Sequence, residues 1–417
     1  MYIRALLHRT LLFATAVLLA GCAGRGVTTP GSASAALTAL PRVLSASEHS
    51  VLSATNAFSF ALWHRINATQ GDTNVFVSPL SASFALSLVL NGAANQTFDE
   101  MRAGLRFEAT SLPDIDAGYK SLIGLITSLD PAVTMDIANS IWYRSGFPFN
   151  QSFLDAGSRY FNATIKPLDF AGTAAALAAI NGWVASQTNS RIPTILDRID
   201  DRNVMFLINA IYFKGSWRSR FDPAQTIDAS FHSTAGDQPV RLMHRHGTMS
   251  YVQTAVYQAV DLAYGDSAFT MTVVLPKPGV SVETLAGLLD GQTWQSLTSG
   301  LHRGDVDLYL PRLQLSWEAS LIPDLQALGM LRPFTDFADF TNMSPRGREL
   351  LLSRVKQKTF VDINEEGTEA TAVSVTGVSV TAAPVTSILR IDRPFMLVIR
   401  ERLSGTVIFM GKIVRIP

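Results

Sequence analysis

Three groups of side chains in this 417-residue chain carry functional groups from which chemistry is usually built. His244 and His246 flank Arg245. In a strand, residues i and i+2 point the same way, so the two imidazoles could supply half of a zinc site. No third ligand is evident beside them, and the pair is expected to be two polar residues on a surface strand. Glu365, Glu366 and Glu369 form a carboxylate cluster of the kind that does acid/base work or holds calcium. Nothing near it supplies a base or the remaining oxygen ligands. Cys22 is the only cysteine, which excludes an internal disulfide and every paired-cysteine motif. A G-x-S-x-G elbow, an H-E-x-x-H helix and a phosphate-binding P-loop are also missing from the sequence. These readings point away from an enzyme and imply no metal or cofactor.

The carboxylates instead open an unusual segment, EEGTEATAVSVTGVSVTAAPVTSILR, which after Glu369 carries no charge until Arg390. Thr368, Ala370, Ala372, Ser374, Thr376, Val378 and Val380 alternate as small uncharged residues, and Thr371, Val373 and Val375 between them favour extended backbone. A buried strand would be bulkier and a surface loop more charged. The pattern is that of a strand without a fixed sheet.

What must position this segment is a large folded body. Hydrophobic residues make up 47% of the chain and charged residues 16%, enough apolar material for a sizeable core. The 34 basic and 34 acidic residues cancel, which leaves no electrostatic footprint for nucleic acid. The N-terminus reads as a targeting signal over residues 1–21: Arg4 and Arg9 precede an apolar run, residues 11–19, too short to span a membrane. Leu19-Ala20-Gly21-Cys22 matches a lipoprotein processing site, with Cys22 as the lipid-modified residue and a bacterial source implied. Residues 22–47, rich in Gly, Ser, Ala and Thr, read as a flexible tether. The protein is expected to be exported, anchored by lipid at the outer membrane or cell surface, or otherwise secreted.

From Val51 the apolar spacing predicts a helix, and Ser78-Pro79 starts a second that runs to Gly92. Residues 133–143 and 204–213 are apolar runs suited to buried strands, and residues 174–186 have helical spacing. Short strands are predicted over 271–276 and 306–311, and residues 395–399 and 407–414 flank a Ser404-Gly405 turn as a hairpin. One mixed α and β domain over residues 48–417 follows, with its helices concentrated in the first half.

Eight motifs in this order resemble the serpin family over almost the whole of that domain. They include FVSPLSASFALSLVLNGA from Phe76, Asn209 through Phe213 and Gly215 to Trp217, Leu328-Gly-Met, Val361-Asp-Ile-Asn-Glu-Glu-Gly-Thr-Glu-Ala, Asp392-Arg-Pro-Phe and Phe409-Met-Gly-Lys. The resemblance implies an α+β fold: helices packed on a large central mixed sheet, further sheets, and an exposed reactive loop over about residues 365–390. It also implies a suicide inhibitor of serine proteases, a monomer, whose loop inserts into the sheet after cleavage while the protease stays covalently attached. The hinge would be Glu365, Glu366, Gly367, Thr368, Glu369, Ala370, Thr371 and Ala372. The gate of the sheet would be Ser78, Ser81, Asn209, Trp217 and Gln357. Gln357 stands where the family usually has histidine hydrogen-bonding near Asn209. The family's interval from Glu365 places the reactive bond between Thr381 and Ala382, with Val380-Thr381 and Ala382-Ala383 as alternatives. Small residues there suit an elastase-like or subtilisin-like protease. The competing expectation is a non-inhibitory carrier or chaperone-like protein on the same fold.

Overall fold

Ser45 accepts the Glu48 N–H while the Glu48 carboxylate accepts the Ser45 N–H, and this capping box starts the long helix Ala46–Gln70. The structure is a computed structural model that describes residues 35–200, 204–368 and 386–417. The expected signal peptide, Cys22 and loop residues 369–385 lie outside the described residues. Of the tether expected over 22–47, residues 35–47 are described, and they are held against the body. The Leu37 N–H donates to Asp266 O at 2.7 Å, the Leu37 carbonyl accepts from Arg402, and Leu44 is buried. Leu37, Leu40 and Leu44 are apolar anchors at helix-like intervals among small residues, and they bind this stretch to the body.

Every residue of the next helix, Pro79–Leu90, is buried. A helix that is apolar all round belongs inside a core. Ser78 holds the N-cap position, but its hydroxyl accepts no helix N–H and instead donates to Ile408 O at 2.8 Å. Helices Asn95–Gly104, Leu112–Thr127, Gln151–Phe161 and Thr173–Gln187 follow, and three short ones come later in the chain. Among the described residues no helix is long and apolar enough to cross a membrane.

Two mixed sheets carry the expected strands. In the nine-stranded sheet the C-terminal hairpin Phe395–Glu401 and Val407–Ile413 lies just inside the edge strand Val75–Val77, which pairs with its second arm. The six-stranded sheet runs in the order Leu313–Ser320, Lys356–Ile363, Gly367–Thr368, Met205–Ser216, Val133–Arg144, Thr164–Leu168. Its last pair is parallel and the others antiparallel. Residues alternate across Met205–Ser216: Phe206, Ile208 and Ala210 pack with the helix Thr173–Gln187, whereas Ile211 and Phe213 join the main core. Both faces of this sheet are therefore covered, which explains why its strands read as apolar runs.

Candidate functional site: a hinge seated in the sheet

The site begins where Lys356–Ile363 turns back on itself. Asn364 N–H donates to Gly367 O at 3.0 Å, Gly367 N–H returns to Asn364 O at 3.3 Å, and Ile363 pairs with Thr368. A tight hairpin results, and its second arm, Gly367–Thr368, also pairs with Ser216 and Gly215 on the other side. Gly367 has φ +155°, and a Cβ there would stand 2.1 Å from Gly215 O, so only glycine fits. Beyond this wedge, no ladder among the described residues joins Lys356–Ile363 to Met205–Ser216.

The turn is held from three directions. Glu365, 5% exposed, accepts on Oε1 from Arg312 Nε at 2.7 Å, Arg312 Nη2 at 2.6 Å and Thr226 Oγ1 at 2.5 Å. Burial alone would raise its carboxyl, but the Arg312 and Thr226 donors outweigh burial and hold it below the ordinary value. Phe221 N–H donates to Glu365 O, Trp217 N–H to Glu366 O, and Trp217 Nε1 to Asn364 O at 2.8 Å. Trp217 stacks on Tyr264 at 4.5 Å, and the Tyr264 hydroxyl meets Thr368 Oγ1 at 2.7 Å. Burial pushes the Tyr264 phenol up, so it stays neutral and can share that bond.

Trp217 is thus brought to the turn that opens the expected hinge. The other expected gate residues divide into two groups. Gln357 does not reach Asn209: its amide donates to Ser78 O and accepts from Ser78 N–H, both at 2.9 Å. An amide carries both a donor and an acceptor on one end and can therefore clasp a peptide group at the helix start. Asn209 donates to Asn139 Oδ1 at 2.7 Å on the neighbouring strand. Asn209 Oδ1, Asn139 Nδ2 and Ser81 Oγ are buried without a hydrogen-bond partner. Of the hinge, Glu365 to Thr368 are described. Glu369, Ala370, Thr371 and Ala372, and the bond candidates Val380, Thr381, Ala382 and Ala383, lie outside the described residues.

Past the loop, Ser387–Arg390 joins the nine-stranded sheet parallel to His302–Pro311, and Thr386 Oγ1 donates to Asp305 at 2.6 Å. Arg390 donates to Asp392 at 2.9 Å and lies over the Tyr309 ring. The loop is therefore strung between two sheets. His244 contacts Asp307 Oδ1 at 2.5 Å and stacks on Tyr309. Among the described residues no group of three His, Cys, Asp or Glu could hold a metal ion.

Sequence reasoning missed Arg312, Thr226, Tyr264 and Asn139. Asn139 and Asn209 offered one signal, since each interrupts an apolar strand with a residue that needs a polar partner. Tyr264 offered none, because its partner lies 104 residues away.

A two-residue strand thus sits between two long ones that no other ladder joins among the described residues. The chain belongs to the serpin family: the sequence model described as Serpin (serine protease inhibitor) matches residues 53–416. Members of this family are protease inhibitors and not enzymes. Human neuroserpin is 31% identical over 367 residues, 85% of this chain and 89% of that protein. Iris from Ixodes ricinus is 32% identical over 85% of this chain and 96% of its own length. A serpin-like protein of Thermococcus kodakarensis is 31% identical over 88% and 85%. Among solved structures, the thermophilic serpin tengpin in its native state has TM-score 0.81 at 28% identity, covering 91% of this chain and 98% of that one. Human thyroxine-binding globulin complexed with thyroxine also has TM-score 0.81 at 28% identity, covering 89% and 99%.

Proposed function

We propose that this serpin is a suicide inhibitor of serine proteases of the elastase-like or subtilisin-like class. The observation that carries the reading is Thr368, paired to strands on both sides at the mouth of an unzipped gap. Carried onward after cleavage, the same register would set Ala370 between Val361 and Phe213, Ala372 between Thr359 and Ile211, and Ser374 between Gln357 and Asn209. Small side chains would meet the core at each step, and the Ser374 hydroxyl would arrive beside the unpartnered Asn209 Oδ1. Cleavage near Thr381 frees one end of the loop to zip in. Roughly a dozen residues, at about 0.5–1.5 kcal/mol per hydrogen bond, approach the stability of a whole domain. A protease still esterified to the loop is dragged along, its serine drawn away from base and oxyanion hole, and deacylation stops.

Arg390, the nearest basic residue, sits in the far anchoring strand, which favours small residues over trypsin-type recognition at the bond. The expected location is the bacterial cell envelope, with lipid on Cys22. The carrier reading gains support from the likeness to thyroxine-binding globulin, whereas the seated hinge favours insertion. Denaturing electrophoresis after mixing with elastase and with subtilisin decides between them. A covalent complex supports inhibition, with mass spectrometry placing the cut within residues 380–383. Clipped chain alone supports the carrier.

A further inference from the structure

We propose that a cavity at the outer border of the six-stranded sheet is a binding site for a small amphipathic organic anion: an aromatic carboxylate that carries a second hydrogen-bond acceptor. The proposal does not rest on the inhibitor reading. Val133–Arg144 pairs with Thr164–Leu168 only from Ser140 onward, so Met135 to Asn139 have no strand on that side. A cavity of about 820 Å³ opens there, between the helices Leu112–Thr127 and Gln151–Phe161. Ligand sites commonly measure about 300–1,000 Å³.

Three features set the chemistry. In a largely polar lining, the half-buried Ile123, Ile137, Tyr160 and Trp183 supply the apolar wall, with Phe84, Met135 and Phe161 buried behind it. Asn139 also lines the cavity. It is 1% exposed, its Oδ1 is taken by Asn209, and its Nδ2 has no partner. Buried donors are normally paired, and an acceptor on a ligand would complete this one. At the mouth, Lys120 Nζ and Arg159 Cζ lie 5.9 and 5.3 Å from the centroid of the Tyr160 ring. Both side chains are exposed, and neither is in an ion pair among the described residues. Two cations face one lining carboxylate, Asp136, which strand alternation puts on the opposite face from Asn139. A carboxylate between Lys120 and Arg159, an aromatic body on the apolar wall and an acceptor at Asn139 match all three features.

Dansylglycine has this anatomy, and dansylamide lacks only its carboxylate arm. Fluorescence titration of the full chain should show saturable one-site binding of dansylglycine. Lys120→Ala with Arg159→Ala should weaken dansylglycine at least tenfold while changing dansylamide less than threefold. Gly124 lines the cavity with open space around its Cβ position, so Gly124→Trp should abolish both. Absence of saturable binding, unchanged binding to Gly124→Trp, or equal losses for the two probes in the charge variant would each overturn the proposal. The charge variant alters only exposed side chains and is expected to fold.

Discussion

Replacing Arg312 by methionine removes both guanidinium donors from Glu365 and keeps the apolar stem. The buried carboxylate is then left with Thr226 alone. Breaking a fully buried ion pair on one side costs about 3–5 kcal/mol. Arg312 is 45% exposed, so water screens the pair, and the loss should fall nearer that of a charged hydrogen bond, about 1.5–3 kcal/mol. In a domain of this size that lowers Tm by about 2–4 °C. Glu365→Gln on the Arg312→Met background removes the stranded charge and should recover more than half of the loss. The pH dependence follows from the depressed carboxyl. Its contribution is present above the ordinary value of 4.5 and disappears as pH falls through the folded value. Wild type and Arg312→Met should therefore converge in acid. Thermal and urea unfolding at neutral pH and at about pH 3 measure both effects. If Arg312→Met stays within about 0.3 kcal/mol of wild type, or adds independently to Glu365→Gln, the turn is not clamped through this pair.

Gly367→Ala should expel the hinge, because its Cβ would overlap Gly215 O. The rungs lost are worth about 1–3 kcal/mol, and more protease should be released than trapped; an unchanged ratio of complex to clipped chain would refute the wedge. Thr368→Arg forces a charge into a position now 2% exposed and should turn inhibitor into substrate; normal complex formation would show the hinge is misassigned. Asp116, buried and accepting from Asn91, has its carboxyl pushed up to about 6 by burial. Its stability contribution is full below about pH 4 and is lost as pH rises through 6, so Asp116→Asn should stabilise by about 1–3 kcal/mol at pH 8 and be neutral at pH 4. An equal effect at both pH values in calorimetry would exclude that titration. Cys22→Ser should move the protein from membrane to soluble fractions, and unchanged partitioning would remove the anchor.

Sequence reasoning reached the elements whose signal is local. The apolar runs became the strands Val133–Arg144 and Met205–Ser216, and the Ser404-Gly405 turn does join the last two strands. The segment expected to act as a hinge stood out in the sequence because small residues at alternate positions have few other uses. What stayed hidden depends on partners distant in the chain. Gln357 was expected near Asn209, but the N–H and carbonyl of Ser78, 279 residues earlier at the helix start, lie within its reach, and the amide binds both instead. Arg312 follows a proline-ended strand with no local partner in the sequence, and only folding brings it to Glu365. Leu37 and Leu44 were masked by the Gly, Ser and Ala around them, since a tether and a strap differ only in what lies beneath.

The place of the final hairpin in the core has a consequence for how the chain is made. Phe395–Glu401 and Val407–Ile413 are buried throughout, and the latter pairs with Val75–Val77. Asn56 in the first helix binds Gly405 O and Val407 N–H. The earliest helices thus wait for the last strand synthesised, and a ribosome must nearly finish before the nine-stranded sheet can close. Until then the nine-stranded sheet lacks its last strand, and Val75–Val77 has no partner in it. Chains stalled at Arg402 should accordingly stay protease-sensitive, and a stop codon before Val407 would be as damaging as one near the middle.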